Sequence, residues 1–266
     1  MTELTDWRDA IALPIITERA KWSFAGLEKV LTDAISSCVS ECLKKNKGII
    51  CTTLSGGLDS SFCLAKIREI VRSEVEIHTF TTGGSKDYPD IQFARVISRR
   101  FGTIHHELIP CEDEIRKAEE KLYSRWNDEP RRLGNLAVFL TYQNIARHGF
   151  RCVIAHDGTD ELLGGYWEHR KYDDEQKKAE VFQDFWDRLE KEHLSLLERK
   201  AQYFGVQVVL PYLQKAVVEY IAKIPFASRT KFAESKIPLR TLAKKYLPKE
   251  VIRRNKKGFC SALDKE

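Results

Sequence analysis

Ile49-Ile50-Cys51-Thr52-Thr53-Leu54-Ser55-Gly56-Gly57-Leu58-Asp59-Ser60-Ser61 is the stretch whose reading decides the fold. Its first half is a β-branched apolar run, preceded by a basic turn (Lys44, Lys45, Lys47, Gly48), and reads as a strand. A two-glycine loop follows, and then a helix from about residue 60 to 71 that opens with serines. Strand, glycine loop and helix N-terminus together make an anion site. Glycine lets the backbone approach a phosphate and take positive φ. The first-turn amides are unpaired, and the helix dipole adds to their attraction. Leu54, Ser55, Gly56, Gly57, Ser60 and Ser61 are therefore the candidate phosphate-binding residues. Asp59 beside a phosphate makes sense only with a Mg²⁺ between them. A plain glycine turn with a serine cap would explain Gly56, Gly57 and Ser60, but leaves Asp59 and the flanking serines without a reason. The chain has no Gly-Lys-Ser/Thr, so the loop is not a Walker A motif, and its spacing is not that of a dinucleotide fingerprint.

Working outward, a helix is expected over 22–45, with apolar residues Phe24, Leu27, Val30, Leu31, Ala34 and Ile35. Beyond the loop, strands over 75–82, 104–109 and 151–155 alternate with helices over 88–101, 112–126 and 136–147. Strands separated by helices of this length imply right-handed crossovers and a parallel sheet with helices on both faces. Ligands of such sheets sit at the carboxyl ends of the strands, here after Leu54, Thr82 and Ala155. After about residue 166 the pattern changes. Residues 173–203 are charged and helical, 206–210 form a short apolar run ended by Pro211, and further helices are expected over 213–222 and 236–246. The expected organisation is a single domain over 1–266, with a nucleotide-binding α/β core over about 20–165. A helical lobe and basic tail over about 166–266 are laid on the sheet.

Bulk properties narrow the class. The chain has 266 residues, 42% hydrophobic and 31% charged, with a net charge of +5, as expected of a soluble globular protein. No apolar run is long enough to span a bilayer, and the first residues have no signal-peptide core, so a cytoplasmic protein is expected. Seven cysteines cannot all pair within one chain. Cys38 and Cys42 share a helix face, but no second pair has zinc-ligand spacing. The basic residues gathered between Lys231 and Lys257 read either as a solvated helical face or as a cationic wall toward phosphates.

Ser55-Gly56-Gly57-x-Asp59-Ser60-Ser61 after a first strand resembles the pyrophosphate loop of the N-type ATP pyrophosphatases. His156-Asp157-Gly158-Thr159-Asp160-Glu161-Leu162-Leu163-Gly164-Gly165-Tyr166 is similar to a segment of the synthetase domain of asparagine synthetases, which is shared with β-lactam synthetases. The resemblance continues through residues 101–107, Asp128-Glu129-Pro130, residues 205–213, residues 236–240 and Arg254-x-Lys256-x-x-Phe259, and covers about 25–260. It implies an adenine nucleotide α-hydrolase-like fold and cleavage of ATP between the α and β phosphates. It further implies Asp59 and Asp160 as ligands of Mg²⁺, and Lys236 as the catalytic cation. Arg254 and Lys256 are implied to close over ATP, with Thr82 and Gly158 beside it. The ordinary alternatives are an acid-rich helix start for Asp160 and Glu161, and a surface position for Lys236. His105 and His106 read as strand residues, one facing in and one out.

The same resemblance implies an amide-forming ligase whose partners are a small-molecule carboxylate and ammonia or another amine. Position 2 is Thr2 where the family's glutaminase domain starts with cysteine, so free ammonia, a separate glutaminase or another amine is the expected nitrogen source. His156 stands where the family has glycine, so it and Asp157 are candidate catalytic residues; His156 is read either as a base for an amine or as turned to solvent. Residues 209–214 read Val-Leu-Pro-Tyr-Leu-Gln, lacking the family's arginine and aspartate, which leaves aspartate only as the default substrate. An RNA-modifying enzyme that adenylates a tRNA base is the alternative, weakened by the absence of paired CxxC motifs.

Overall fold

The computed structural model describes residues 4–17, 21–254 and 263. β1 (Ile50–Thr53), β2 (Ile77–Thr82), β3 (Ile104–Leu108), β4 (Cys152–Ile154) and β5 (Gln207–Val209) form one sheet in the order β3-β2-β1-β4-β5, parallel throughout. Ile50, Cys51, Thr52, Cys152, Val153 and Ile154 are wholly buried, because crossover helices cover a parallel sheet on both faces. The helices Leu58–Ile70 and Pro89–Phe101 carry the chain outward from β1 to β3. Glu112–Arg125 and Leu133–Arg147 bring it back to β4. With right-handed crossovers, opposite directions of travel put these two pairs on opposite faces. Strand order thus reverses between β1 and β4, which opens a crevice at their carboxyl ends.

Local chemistry explains the elements around that crevice. The helix Phe24–Lys45 starts at Ser23, whose hydroxyl accepts from the Gly26 amide, and ends with Lys44 and Lys45 at the negative pole of its dipole. Its buried stripe runs Leu27, Leu31, Ile35, Cys38, Cys42. Just past it, Asn46 donates to the Cys152 carbonyl at 2.7 Å and accepts from the Arg151 and Cys152 amides at 2.9 and 3.0 Å, which fastens the helix end to β4. Cys38, Cys42, Cys51, Cys63 and Cys152 are buried free thiols that fill this core. Among the described residues, no helix is long and apolar enough to cross a membrane.

Two features depart from the sequence-based expectation. The apolar run at 206–210 supplies β5, so the sheet continues into the C-terminal part. The helical stretch expected over 173–203 is Glu175–Leu189 and Ser195–Tyr203 joined by a π-helical turn, Glu190–Leu194. A segment ahead of the first long helix, residues 4–17, contains the short helix Trp7–Ile11 and is strapped to the C-terminal half. Thr5 exchanges hydrogen bonds with the Gln214 carboxamide, 2.8 Å from amide to oxygen and 3.3 Å from nitrogen to carbonyl. The Trp186 indole donates to the Ile11 carbonyl at 3.1 Å. The fully enclosed Arg229 guanidinium donates to the carbonyls of Ile15, Leu162 and Ile224. Trp7, Ile15, residues of β1, β2, β4 and β5, and Ile252 belong to one continuous hydrophobic core.

Candidate active site

The loop after β1 is held from behind. Gly56 has φ +66°, and a Cβ there would lie 2.4 Å from both the Ala94 nitrogen and the Phe93 carbonyl carbon, so the loop backbone rests directly on the helix Pro89–Phe101. Gly57 caps the helix Leu58–Ile70, Ser55 Oγ and Ser60 Oγ are 3.2 Å apart, and the Gly57 amide faces Ser55 Oγ at 3.3 Å. Ser61 is fully buried, and its hydroxyl has no hydrogen-bond partner among the described residues. The Tyr212 hydroxyl donates to the Asp59 carbonyl at 2.9 Å and steadies the helix start.

β4 delivers the second wall. Gly158 turns with φ +86°, and the short helix Thr159–Leu163 follows, with Asp160 in its first turn. Asp59 and Asp160 meet at Lys236: its Nζ lies 2.5 Å from Asp59 Oδ2 and 2.7 Å from Asp160 Oδ1. Lys236 is 4% exposed and holds a left-handed backbone (φ 52°) at the head of the helix Ile237–Ala243. Burial opposes its charge most strongly, yet Asp160 and Asp59 outweigh that and hold the ammonium above its usual value. Gly165 leaves room for this triad, because a Cβ there would overlap Asp160 Oδ1 and Lys236 Cε.

The cleft between the walls encloses about 500 Å³. Leu54, Ser55, Gly57, Asp59, Ser60, Thr82, His156, Asp157, Gly158, Asp160, Lys236 and Arg254 all line it. Gly56 and Ser61 support the loop rather than line the cleft, and Lys256 lies outside the described residues. Thr82 shares a 2.7 Å hydrogen bond with Thr141, and Arg254 donates to the Ser55 carbonyl at 2.9 Å and pairs with the buried Asp90. His156 faces Thr52 Oγ1 at 3.4 Å and Thr53 Oγ1 at 3.3 Å, and burial pushes it down to about 4. Burial pushes Asp157 upward, but His193 and then His156 bring it below the usual carboxylate range. His105 and His106 sit in β3, at the far edge from the cleft, bonded to Thr79 and stacked on Phe80 respectively.

Sequence reasoning missed His193, whose Nε2 is 2.5 Å from Asp157 Oδ1, and the Arg132 and Asn135 side of the cleft. No local pattern marks His193, since only the π-helical turn and the fold bring it to β4. Tyr212 lies inside a motif segment, between Val209 and Gln214 where the sequence departs from the family.

Two carboxylates are a hard oxygen donor set of the kind Mg²⁺ takes alongside phosphate and water oxygens. That a buried cation already bridges them shows that the pair demands positive charge. Among the described residues no group of three or more His, Cys, Asp or Glu side chains that could hold a metal ion comes together.

Among solved structures, an NH3-dependent NAD synthetase from Campylobacter jejuni aligns at 18% identity and TM-score 0.37, over 53% of this chain and 60% of that one. An NMN synthetase from Francisella tularensis aligns at 13% identity and the same TM-score, over 79% and 94%. Asparagine synthetase [glutamine-hydrolyzing] 2 of Oryza sativa is 28% identical over 230 residues, 79% of this chain and 38% of that protein. The Zea mays enzyme is 29% identical over 237 residues, 79% of this chain and 39% of its own. The chain therefore spans about two fifths of the length of the curated relatives it matches. The profile of the asparagine synthase family matches residues 30–204 and 185–266. That is most of the sequence, strands and cleft alike, and the chain belongs to the asparagine synthase family.

Proposed function

We infer that the protein is an AMP-forming ligase that adenylates a carboxylate with Mg-ATP and passes the acyl group to ammonia or another amine. The observation that carries this reading is Lys236 Nζ seated between Asp59 and Asp160, at the head of a glycine-serine loop, in the crevice where strand order reverses. The loop amides, with Ser55 and Ser60, bind the pyrophosphate end of ATP. Asp59 and Asp160 would hold Mg²⁺, which draws charge off the phosphate oxygens. Lys236 supplies positive charge where negative charge grows, at the α-phosphate and the acyl oxygen. Arg254 secures the loop from the tail side through the Ser55 carbonyl. The acid's oxygen attacks the α-phosphorus and pyrophosphate departs. The amine then attacks the acyl carbon and AMP departs. Family membership supports ATP-dependent amide ligation; aspartate is kept only as the default acid.

The test is carboxylate-dependent exchange of labelled pyrophosphate into ATP, across a panel of acids led by L-aspartate, with ammonium chloride added to follow AMP and amide. Exchange followed by AMP release fits the reading. ADP and phosphate as products, or dependence on tRNA, would reject it.

A further inference from the structure

Family membership leaves the acid open. Residues 209 and 214, where the sequence departs from the family, do not face the active-site cleft. Val209 and Gln214 line a second cavity, of about 470 Å³, beneath the N-terminal segment. What selects the acid has to be read from the walls of the cleft itself. In the ligase reading, ATP lies along the carboxyl ends of β1 and β2, on the loop and beside Thr82. Its α-phosphate then meets Lys236. The acid reaches that phosphate from the opposite wall, which Gly165, Tyr166, Ser235 and Arg240 help to form.

Both segments of that wall carry an aromatic side chain outward. Trp167 follows Tyr166 directly, and Phe232 sits in the turn between Lys231 and Glu234 that leads into Ser235 and Lys236. Trp167 is 48% exposed and Phe232 62%, which makes them the two most exposed large apolar side chains among the described residues. Their rings meet edge to face, with centroids 5.2 Å apart. Single apolar side chains at a surface are ordinary, but a pair in contact at the mouth of a cleft marks a binding surface. The pair is also held stiffly. His169, fully buried two residues past Trp167, packs 4.2 Å from Phe182 and accepts from the Tyr166 amide at 3.4 Å. The Arg170 guanidinium lies over Trp167, 5.2 Å from its centroid. Lys231 and Glu234 exchange backbone hydrogen bonds of 2.8 and 3.0 Å across the turn that presents Phe232. A platform ordered before its ligand arrives loses little entropy on binding.

We propose that Trp167 and Phe232 form a subsite for a flat apolar arm of the acid substrate. The arm leaves the cleft over this rim while the carboxylate reaches the α-phosphate beside Lys236. The subsite rests on the ligase reading above and deepens it by naming the class of acid. That acid is larger than aspartate, with a carboxylate at one end and an aromatic or similarly flat apolar group at the other. Aspartate, polar at both ends, has nothing to lay on two exposed rings. The adenylation step itself is unchanged: a carboxylate oxygen bonds to the α-phosphorus, the bond from that phosphorus to pyrophosphate breaks, and the arm takes no part.

The experiment measures ATP–pyrophosphate exchange in Mg-ATP with acetate, L-aspartate, hydrocinnamate and phenylvalerate. It compares the wild type with Trp167→Ala, Phe232→Ala and Trp167→Phe. Both side chains are exposed, and thermal unfolding checks that each variant folds. The expected wild-type result is a kcat/KM about tenfold or more higher for the better phenyl acid than for acetate or L-aspartate. Trp167→Ala and Phe232→Ala should each cut that ratio by about fivefold, through KM, whereas Trp167→Phe should keep most of it. Wild-type preference for acetate or L-aspartate overturns the subsite and leaves the ligase reading standing. A preference for phenyl acids that the alanine variants leave unchanged also overturns it, and assigns the aromatic pair to a macromolecular partner instead. Wild-type protein that gives no exchange with any acid removes the ligase reading, and this subsite with it.

Discussion

Replacing Lys236 with methionine removes the cation from the site while keeping the length of its stem. Asp59 and Asp160, whose oxygens are 2.5 and 2.7 Å from the missing nitrogen, would then face each other across the gap. Two like charges about 5 Å apart repel by about 3 kcal/mol at an effective dielectric constant of about 20. Breaking a buried ion pair by removing one partner costs about 3–5 kcal/mol. The expected loss for Lys236→Met is therefore about 3–5 kcal/mol at pH 8, or a fall in Tm of roughly 10 °C for a chain of this size. Part of it should return as pH is lowered, because protonating one of two facing carboxylates relieves the repulsion. Added Mg²⁺ should also restore the variant far more than the wild type, where Lys236 already satisfies the pair. At about 100 times its Kd, a ligand of the folded state adds about 2.7 kcal/mol. Thermal and urea unfolding with and without MgCl2 measure both effects. A loss below about 1 kcal/mol, or equal Mg²⁺ stabilisation of both proteins, would refute the role of Lys236 as resident counter-ion.

Other consequences can be checked in the same way. Gly56→Ala must fit a Cβ 2.4 Å from the Ala94 nitrogen at positive φ, so stability and the KM for ATP should both suffer, the latter by about tenfold or more. Gly102→Ala, at φ +60° with nothing within 4 Å, serves as the control and should cost about 1 kcal/mol without touching ATP kinetics. Arg254→Met deprives the buried Asp90 of its guanidinium, and should cost about 3 kcal/mol in urea unfolding, with Asp90→Asn recovering most of it in the double variant. His156 lies at about 4 in the fold against an ordinary 6.5, so the unfolded chain binds a proton that the native state refuses between those values. The stability so contributed is present above pH 6.5 and lost as pH falls toward 4, up to about 3 kcal/mol, and His156→Gln should flatten that part of the curve.

Much of this site could be read before any coordinates. The apolar run 49–54, the glycines and the serines locate the loop, and the alternation of strands and helices brings 55–61 and 156–160 to one sheet edge. Asp59 and Asp160 were legible because each follows a strand that periodicity identifies. β5 was not, since three residues give no alternation to read and only pairing with β4 makes them a strand. His193 was hidden for another reason: it lies 36 residues from Asp157, in a turn that depends on one added residue in a helix. The left-handed backbone of Lys236 was equally hidden, because nothing local requires a lysine to adopt it. Gln214, read from the sequence as a lost aspartate, ties the N-terminal segment down. Its carboxamide can donate to the Thr5 carbonyl as well as accept from the Thr5 amide, which a carboxylate cannot do.

The strap formed by residues 4–17 also bears on the order in which the molecule is assembled. Its ties to Gln214, Trp186 and Arg229 span 209, 175 and 214 positions of chain. Contacts so remote close slowly, because the entropy of joining distant segments must be overcome before any of them forms. During synthesis the strap emerges well before its anchors, so its ties to Trp186, Gln214 and Arg229 wait until those residues are in place. The strap is made early and seated late.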